Sequence, residues 1–311
     1  MARKARSQAR SQGRGDGPRS RSGRRGQKDK QRQVVAEREA QQRERLLARF
    51  EGVEPDGRVV CQYGTHAEVS CADGRVRLCL LTPKVHKLFG VCVGDWVWTG
   101  RGATDEERII EGRAERRTEV RRKRGEEDRH GHVIAANVDT MAITAALKEP
   151  PLRTGALDRY LVLASHLGLA PLLVLTKLDL TPADDPGWSV LEPYRSLGVD
   201  MVYTASVTGQ GLADLRVRLA GRVTVFAGHS GVGKSRLCGA LGLRDAPEPG
   251  DLSRSGGRVR GRHKTSVARL LNLGDGGWVV DTPGVRAIGL VDLERQDVPI
   301  HFPDLADIGL R

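Results

Sequence analysis

The sequence feature that most constrains the fold is the octapeptide at residues 228–235, Gly-His-Ser-Gly-Val-Gly-Lys-Ser. It follows an apolar run, Val223–Ala227, and precedes a segment of helical character. A glycine-rich loop between a strand and a helix can aim successive backbone N–H groups at phosphate oxygens, while its Lys and Ser contact phosphate and Mg²⁺. The octapeptide therefore predicts a nucleoside triphosphate site, with Lys234 on the phosphates and Ser235 on Mg²⁺.

Length and hydropathy limit the architecture and the compartment. The 311 residues leave room for about two domains. No apolar stretch approaches the about 20 residues of a transmembrane helix, and the N-terminus is too charged for a secretory signal. The five cysteines show no CxxC spacing, so neither disulfides nor a cysteine zinc site is expected. We expect a cytoplasmic monomer that contacts no membrane.

The net charge of +12 is concentrated at the N-terminus, where residues 1–48 hold fifteen Lys and Arg against five Asp and Glu. Residues 1–30 contain almost no apolar side chains, a composition typical of disorder, whereas residues 31–50 have the composition of a charged helix. We predict a basic, disordered arm over residues 1–48 that binds RNA through counterion release. A solubilising tail without a partner is the alternative interpretation.

Short strands separated by turns follow the arm. Alternating segments flank the turn at residues 72–74, Ala-Asp-Gly, which favours a hairpin, and the strand-like run at 91–98 closes the series. About five such strands fit an OB-type β-barrel, which we predict over residues 49–112 with RNA as its ligand. The charge-dense interval 100–130 is interpreted as a linker or a basic edge.

From residue 132 onwards, apolar runs alternate with segments of helical spacing, which is the signature of an α/β sheet. The run at 171–175 is typical of a buried parallel strand and leads into Thr-Lys-Leu-Asp at 176–179. A carboxylate at a strand end can accept hydrogen bonds from guanine N1–H and N2–H₂, which adenine does not offer. Asp179 is therefore predicted to select guanine. The loop that contains Ala205 and Ser206 resembles the loop of GTPases that offers a backbone N–H to guanine O6, which implies the same role here.

Two segments after the phosphate loop complete the predicted site. Residues 261–265, Gly-Arg-His-Lys-Thr, lie in a Gly/Arg/Ser-rich stretch in which the Thr265 hydroxyl would complete the Mg²⁺ shell. A strand-like segment then leads into Asp-Thr-Pro-Gly at 281–284. Asp281 would hold Mg²⁺ through water, and the Gly284 N–H would contact the γ-phosphate.

The predicted GTP-binding residues are Thr176, Lys177, Asp179, Ala205, Ser206, Gly228, His229, Ser230, Gly231, Val232, Gly233, Lys234, Ser235, Thr265, Asp281 and Gly284. The predicted Mg²⁺ ligands are Ser235, Thr265 and Asp281.

The order of these motifs is unusual. The guanine-selecting tetrapeptide precedes the phosphate loop, whereas an ordinary GTPase has the reverse order, so residues 113–290 are predicted to form a circularly permuted P-loop GTPase domain. With a β-barrel before it, this order resembles the RsgA/YjeQ family of ribosome small-subunit-dependent GTPases. The resemblance spans about residues 52–290. Its most specific segments are 93–97, 134–139, 157–161, 230–235 and 261–265.

The resemblance implies a GTPase that binds the 30S ribosomal subunit late in its maturation, contacts ribosomal RNA through barrel and arm, and is stimulated by the subunit. Val285 stands where Ras-like enzymes carry a water-orienting Gln, and the family's switch-loop histidine matches His263, the predicted catalytic residue. His229 is the rival histidine. Two other classes remain as alternatives: a GTP-gated RNA-binding protein with little turnover, and a P-loop ATPase or kinase, against which Asp179 argues.

The sequence departs from the family pattern in three places. Thr176 replaces the usual Asn, which removes an amide that can contact the base, and Ala205-Ser206 replaces the usual Ser-Ala. The family also ends in a zinc-binding helical domain, whereas His301 is the one Cys or His residue after Gly284. Zinc is therefore not expected, and residues 291–311 are interpreted as a C-terminal remnant left by truncation or by loss of the module.

Overall fold

The computed structural model describes residues 21–102, 107–122, 131–243, 268–281 and 301. Its helices are α1 (Arg21–Leu47), α2 (Pro83–Phe89), α3 (Thr154–His166), α4 (Glu192–Ser196), α5 (Leu212–Leu219) and α6 (Lys234–Ala240). Its strands are β1 (Gly57–Tyr63), β2 (His66–Cys71), β3 (Val76–Leu81), β4 (Trp96–Arg101), β5 (Arg108–Arg113), β6 (Glu119–Arg122), β7 (His132–Ala136), β8 (Thr140–Ala146), β9 (Ala170–Thr176), β10 (Asp200–Tyr203), β11 (Val223–Ala227), β12 (Arg269–Gly274) and β13 (Gly277–Asp281). Across these ranges, no helix has the length and apolar character needed to cross a membrane.

One sheet runs through both halves of the molecule in the order β10-β9-β8-β11-β13-β12-β1-β2-β3-β5-β4. Strand β1 also pairs with β4, which closes the first five strands into a barrel. In the other half, β10, β9, β8, β11 and β13 pair in parallel, as in an α/β sheet. The molecule is therefore a five-stranded barrel followed by an α/β domain, the architecture predicted from the sequence.

The central strands of the α/β domain are buried on both faces. All seven residues of β8 and all five residues of β11 are buried. Helix α3 covers one face, where Leu157 and Leu163 pack with Met141, and helices α5 and α6 cover the other, where Leu215 and Leu237 pack with Ala142 and Phe226. Because both faces need apolar side chains, these strands are continuous apolar runs in the sequence rather than alternations.

The barrel strands are connected by turns that the sequence specifies. In the turn between β2 and β3, Gly74 has a φ of 77° and the Asp73 carboxylate accepts a hydrogen bond from the Arg75 N–H at 3.1 Å. Helix α2 begins with Thr82 as its N-cap, whose hydroxyl accepts from the Val85 N–H at 3.3 Å. Inside the barrel, one apolar cluster includes Val59, Val69, Leu81, Val97 and Ile110.

The N-terminal segment differs in part from the predicted disordered arm. Residues 1–20 lie outside the described residues, but residues 21–47 form helix α1. The last turns of α1 contact the barrel: Leu46 is buried in the barrel core, the Arg43 guanidinium lies 5.2 Å from the centre of the Phe89 ring, and Glu39 pairs with Lys87 at 3.1 Å. These contacts attach the C-terminal end of the helix to α2.

The interval 100–130 also differs from its interpretation as a linker or basic edge. It contains β5 and β6, and β5 is a barrel strand that lies between β3 and β4. The apolar residue Ile110 of this strand is completely buried. The apolar segment of β5 is short and is flanked by charged residues. The composition of the interval therefore did not indicate a strand.

A buried ion pair joins the barrel to the chain that enters the α/β domain. The Asp95 side chain is completely buried, and its carboxylate accepts from Arg116 Nε at 2.7 Å, Arg116 Nη2 at 2.8 Å and the Cys92 N–H at 2.8 Å. Burial by itself would lower the pKa of Arg116, but its hydrogen bond to Asp95 and the neighbouring charges raise that pKa above its ordinary value. The guanidinium therefore remains charged at the junction.

Backbone contacts reinforce this junction. Gly94 has a φ of 87°, and a Cβ at this position would overlap the carbonyl oxygen of Ala136. The Asn137 side chain donates to the Gly94 carbonyl at 3.0 Å and accepts from the Arg117 N–H at 2.9 Å. Two of the segments that carry the family resemblance, 93–97 and 134–139, thus meet between the barrel and the α/β domain.

We predict that Asp95→Asn lowers the free energy of unfolding by about 3 kcal/mol, because it removes the buried carboxylate charge that faces the Arg116 guanidinium and leaves Glu119, at 3.0 Å, as the carboxylate paired with it. Urea denaturation measures this change. The matched control is Asp73→Asn, which breaks an ion pair with Arg77 on the barrel surface and should change stability little. Equal, small effects of the two substitutions would contradict the role assigned to the junction.

Candidate nucleotide-binding site

Those predicted nucleotide-binding segments that the structure describes meet at one edge of the α/β sheet. Because β8, β9, β10, β11 and β13 are parallel, their carboxyl ends lie together. The strand order reverses at β8, with β9 and β10 on one side and β11 and β13 on the other. Ligands of open α/β sheets bind at such a reversal, outside the carboxyl ends of the strands. The phosphate loop follows β11 there, and the guanine tetrapeptide follows β9.

The phosphate loop has the backbone conformation that its glycines predict. Gly228, Gly231 and Gly233 have φ angles of 137°, 83° and 97°. A Cβ at Gly228 would overlap the carbonyl oxygen of Thr144, so the loop can approach β8 this closely only with glycine at that position. The Lys234 Nζ donates to the carbonyl oxygens of Gly228 and His229 at 2.5 Å each. The ammonium group is thus held against the phosphate loop.

The other loop residues divide into a buried and an exposed set. Val232 is buried, whereas His229, Ser230 and Ser235 are exposed. Val232 anchors the loop in the protein, and the exposed set includes the hydroxyl predicted to bind Mg²⁺.

The guanine tetrapeptide packs directly on the phosphate loop. Thr176 is buried, and its hydroxyl lies 2.5 Å from the Val232 carbonyl oxygen and 3.1 Å from that of Ala145. Lys177 has a left-handed backbone with a φ of 58°, and its Nζ donates to the Glu149 carbonyl. Asp179 follows in a 3₁₀ turn and is exposed. Its carboxylate is therefore accessible to a ligand.

The loop after β10 lies beside this tetrapeptide. The Leu178 N–H donates to the Thr204 carbonyl at 3.1 Å, which joins the two loops. Ala205 is buried, and its N–H donates to the Gln210 carbonyl at 3.0 Å. Because that donor is used within the loop, we expect the following N–H, that of half-buried Ser206, to face guanine O6.

Asp281 is exposed at the end of β13, the strand next to β11. Val280 pairs with Val225 in parallel register, so Asp281 and the start of the phosphate loop leave the sheet at the same edge. Carboxylate and hydroxyl oxygens are the donors that Mg²⁺ prefers. Asp281 and Ser235 are therefore chemically suited to the metal predicted to accompany GTP.

Three predicted site residues, His263, Thr265 and Gly284, lie outside the described residues, as does Val285. Their roles stay predictions. The sequence also did not predict which backbone carbonyls contact Thr176 and Lys177, namely those of Ala145, Val232 and Glu149. Every residue has a backbone carbonyl, so residue type does not show which of them accept hydrogen bonds.

A cavity of about 230 Å³ adjoins the phosphate loop on the side of helix α3. It is lined by residues 143–146 at the end of β8, by residues 150–153, and by Tyr160, His229 and Ser230. Most of this lining is apolar, and its polar groups include those at the phosphate loop. The cavity therefore belongs to the same end of the sheet as the nucleotide site.

A model of the RsgA GTPase family matches residues 113–291, which is more than half of the chain. The chain belongs to the RsgA GTPase family. A relative in Pseudomonas aeruginosa, named small ribosomal subunit biogenesis GTPase RsgA, is 36% identical over 279 residues, which cover 88% of this chain and 79% of the relative. The sequence resemblance to this family is thus confirmed.

Two solved structures resemble this RsgA family member. YjeQ from Thermotoga maritima has a TM-score of 0.64 at 30% identity, covering 82% of this chain and 83% of that protein. YloQ, described as a circularly permuted GTPase, has a TM-score of 0.61 at 27% identity, covering 82% and 79%. The predicted fold, a barrel followed by a circularly permuted GTPase domain, and the predicted enzyme class are confirmed.

We predict that Asp179→Asn shifts nucleotide preference from guanine towards xanthine, because an amide can donate to xanthine O2 where the carboxylate accepted from guanine N2–H₂. Competition between GTP and xanthosine triphosphate measures the preference. Asp184→Asn is the control, since Asp184 is an exposed carboxylate in the following segment. Binding of ATP as tight as that of GTP by the wild type would contradict the assignment.

Proposed function

We propose that this RsgA family member binds the 30S ribosomal subunit late in its maturation and hydrolyses GTP there. The observation that carries the proposal is the contact between the phosphate loop and the guanine tetrapeptide through Thr176 and Val232, which unites the phosphate and base-recognition segments at one sheet edge. The name of the Pseudomonas aeruginosa relative supports the ribosomal setting. The compartment that fits this function is the cytoplasm, with the chain acting as a monomer.

The proposed GTP site uses both sides of strand β8. Lys234 and the backbone N–H groups of residues 228–233 bind the phosphates, while Asp179 and the Ser206 N–H bind guanine. Ser235 and Asp281 would hold Mg²⁺ together with Thr265, and the bound ion would supply positive charge that stabilises the phosphate oxygens during hydrolysis. The donor chemistry and the adjoining strand ends support this metal assignment.

The proposed water-orienting group is His263. Hydrolysis of GTP depends mainly on the positioning of water and on electrostatic stabilisation, and Val285 has no polar group with which to hold water. His229 is the rival because it is exposed on the phosphate loop. Slow turnover in the absence of the 30S subunit follows if that subunit is needed to bring His263 to the γ-phosphate.

The proposed contacts with ribosomal RNA are made by the arm (1–48) and the barrel (49–112), which precede the GTPase domain (113–290) and the remnant (291–311). The charge excess of the arm supports this assignment, since Lys and Arg release counterions when they neutralise phosphates. The anchoring of helix α1 on α2 supports it further, because it holds the end of the arm at the barrel surface.

We predict that 30S subunits accelerate single-turnover GTP hydrolysis by the wild type. His263→Ala should lose this acceleration by orders of magnitude and keep its GTP affinity, because a water-orienting group acts mainly in the transition state. His229→Ala, the matched control, should retain most of the acceleration.

Two outcomes would contradict this proposal. Acceleration in His263→Ala equal to that of the wild type would remove the catalytic assignment. GTP-dependent binding to 30S subunits without any acceleration of hydrolysis would instead identify a GTP-gated RNA-binding protein.

A further inference from the structure

A row of paired residues crosses the boundary between the barrel and the α/β domain. It contains one residue from each of four adjacent strands, β2, β1, β12 and β13. In cross-strand order these residues are Glu68, Cys61, Arg269 and Asp281. The side chains of directly paired residues lie on the same face of a sheet. The row therefore places Asp281, a predicted Mg²⁺ ligand, beside a cation that also belongs to the barrel contact.

The Arg269 side chain extends towards the barrel. Its Nη2 donates to Glu68 Oε2 at 3.2 Å, and the two side chains are only 13% and 7% exposed. Neighbouring strands lie about 4.8 Å apart, so Glu68 is two strands away from Arg269, whereas Asp281 is one strand away. The guanidinium therefore reaches over β1 to pair with the carboxylate on the more distant strand.

Cys61 lies in the row between Glu68 and Arg269 and is completely buried. Burial raises the pKa of its thiol above the ordinary value, and a hydrogen bond with Arg269 opposes this rise only in part. The thiol is therefore neutral near pH 7, and its small size lets the longer Arg269 side chain pass. Glu68 and Asp281 are consequently the two anions of the row, one on each side of Arg269.

The two anions differ in their exposure to water. Glu68 is buried, whereas Asp281 is exposed at the end of β13. Water and salt screen a buried pair of charges much less than an exposed pair, so the Arg269 guanidinium is attracted more strongly to Glu68. Without the Glu68 charge, Asp281 is the remaining carboxylate of the row. A guanidinium paired with Asp281 would compete with Mg²⁺ for the same oxygen atoms, because both are cations.

We propose that Glu68 is a positioning residue that retains the Arg269 guanidinium at the barrel and so leaves the Asp281 carboxylate available to Mg²⁺. The proposal rests on the proposed function in taking Asp281 as a ligand of the Mg²⁺ that accompanies GTP. Glu68 belongs to the barrel and Asp281 to the GTPase domain, so the metal affinity of the nucleotide site depends on how the barrel is attached to β12.

The central test is the affinity of the full-length protein for a non-hydrolysable GTP analogue, measured over a range of free Mg²⁺ concentrations without ribosomes. Glu68→Gln removes the charge and nearly keeps the shape of the side chain. The Mg²⁺ concentration at the midpoint of the affinity change should rise about tenfold, which corresponds to about 1.4 kcal/mol. The affinity in excess EDTA should equal that of the wild type, because no metal takes part in that binding.

A double variant separates positioning from a merely structural role. Glu68→Gln combined with Arg269→Gln removes both charges, so the Mg²⁺ midpoint should return to within about twofold of the wild type. A structural role of Glu68 predicts no such rescue, because the second substitution removes further contacts. Glu119→Gln is the control: it takes a carboxylate from Arg116 at the other attachment of the barrel and should leave the midpoint unchanged.

The proposal is overturned by a wild-type midpoint in Glu68→Gln, by a midpoint raised as much in Glu119→Gln, or by a double variant that stays as shifted as Glu68→Gln. If Glu68→Gln does not fold, Glu68→Asp draws the carboxylate back by one methylene and should raise the midpoint in the same direction, and an unchanged midpoint there also overturns it. Wild-type Mg²⁺ dependence in Asp281→Asn would refute the metal assignment itself. A raised midpoint in Asp281→Asn with none in Glu68→Gln refutes only the positioning role.

Discussion

The parallel pairing of β8 with β9 on one side and β11 on the other is the interaction on which the nucleotide site depends. It brings the tetrapeptide after β9 and the loop after β11 to the same edge, although residues 180–227 separate them along the chain. The site is therefore formed by the positions of the strands in the sheet and does not depend on their order along the chain. This is why a circular permutation can preserve a GTP site: the permuted connections lie outside the parallel core.

The barrel is attached to the same sheet through β12, which pairs with β1 at Arg269 and Cys61. Arg269 also forms an ion pair with Glu68 of β2 at 3.2 Å, and both side chains are largely buried. Strand β12 forms a hairpin with β13, which ends at Asp281. The proposed RNA-binding and metal-binding parts of the protein are thus joined by continuous hydrogen-bonded strands, with the Asp95–Arg116 pair as a second attachment.

The segments of the candidate site could be identified from the sequence because their signals are local. The phosphate loop and the tetrapeptide at 176–179 are short segments whose residue types directly reflect their chemistry. The contacts that fix these segments were not predictable, since the Thr176 hydroxyl meets backbone carbonyls 31 and 56 residues away. Helix α1 extends further towards the N-terminus than its charged composition indicated, and buried Leu46 shows that its attachment depends on tertiary packing.

The central claim is that the loop after β11 binds the phosphates of a guanine nucleotide, and calorimetric titration of Lys234→Ala tests it most directly. The wild type should bind GTP in preference to ATP, and Lys234→Ala should bind GTP more than tenfold more weakly, a difference above about 1.4 kcal/mol. Lys87→Ala, which alters an exposed lysine of the barrel, should bind GTP as the wild type does. GTP affinity unchanged in Lys234→Ala would contradict the account.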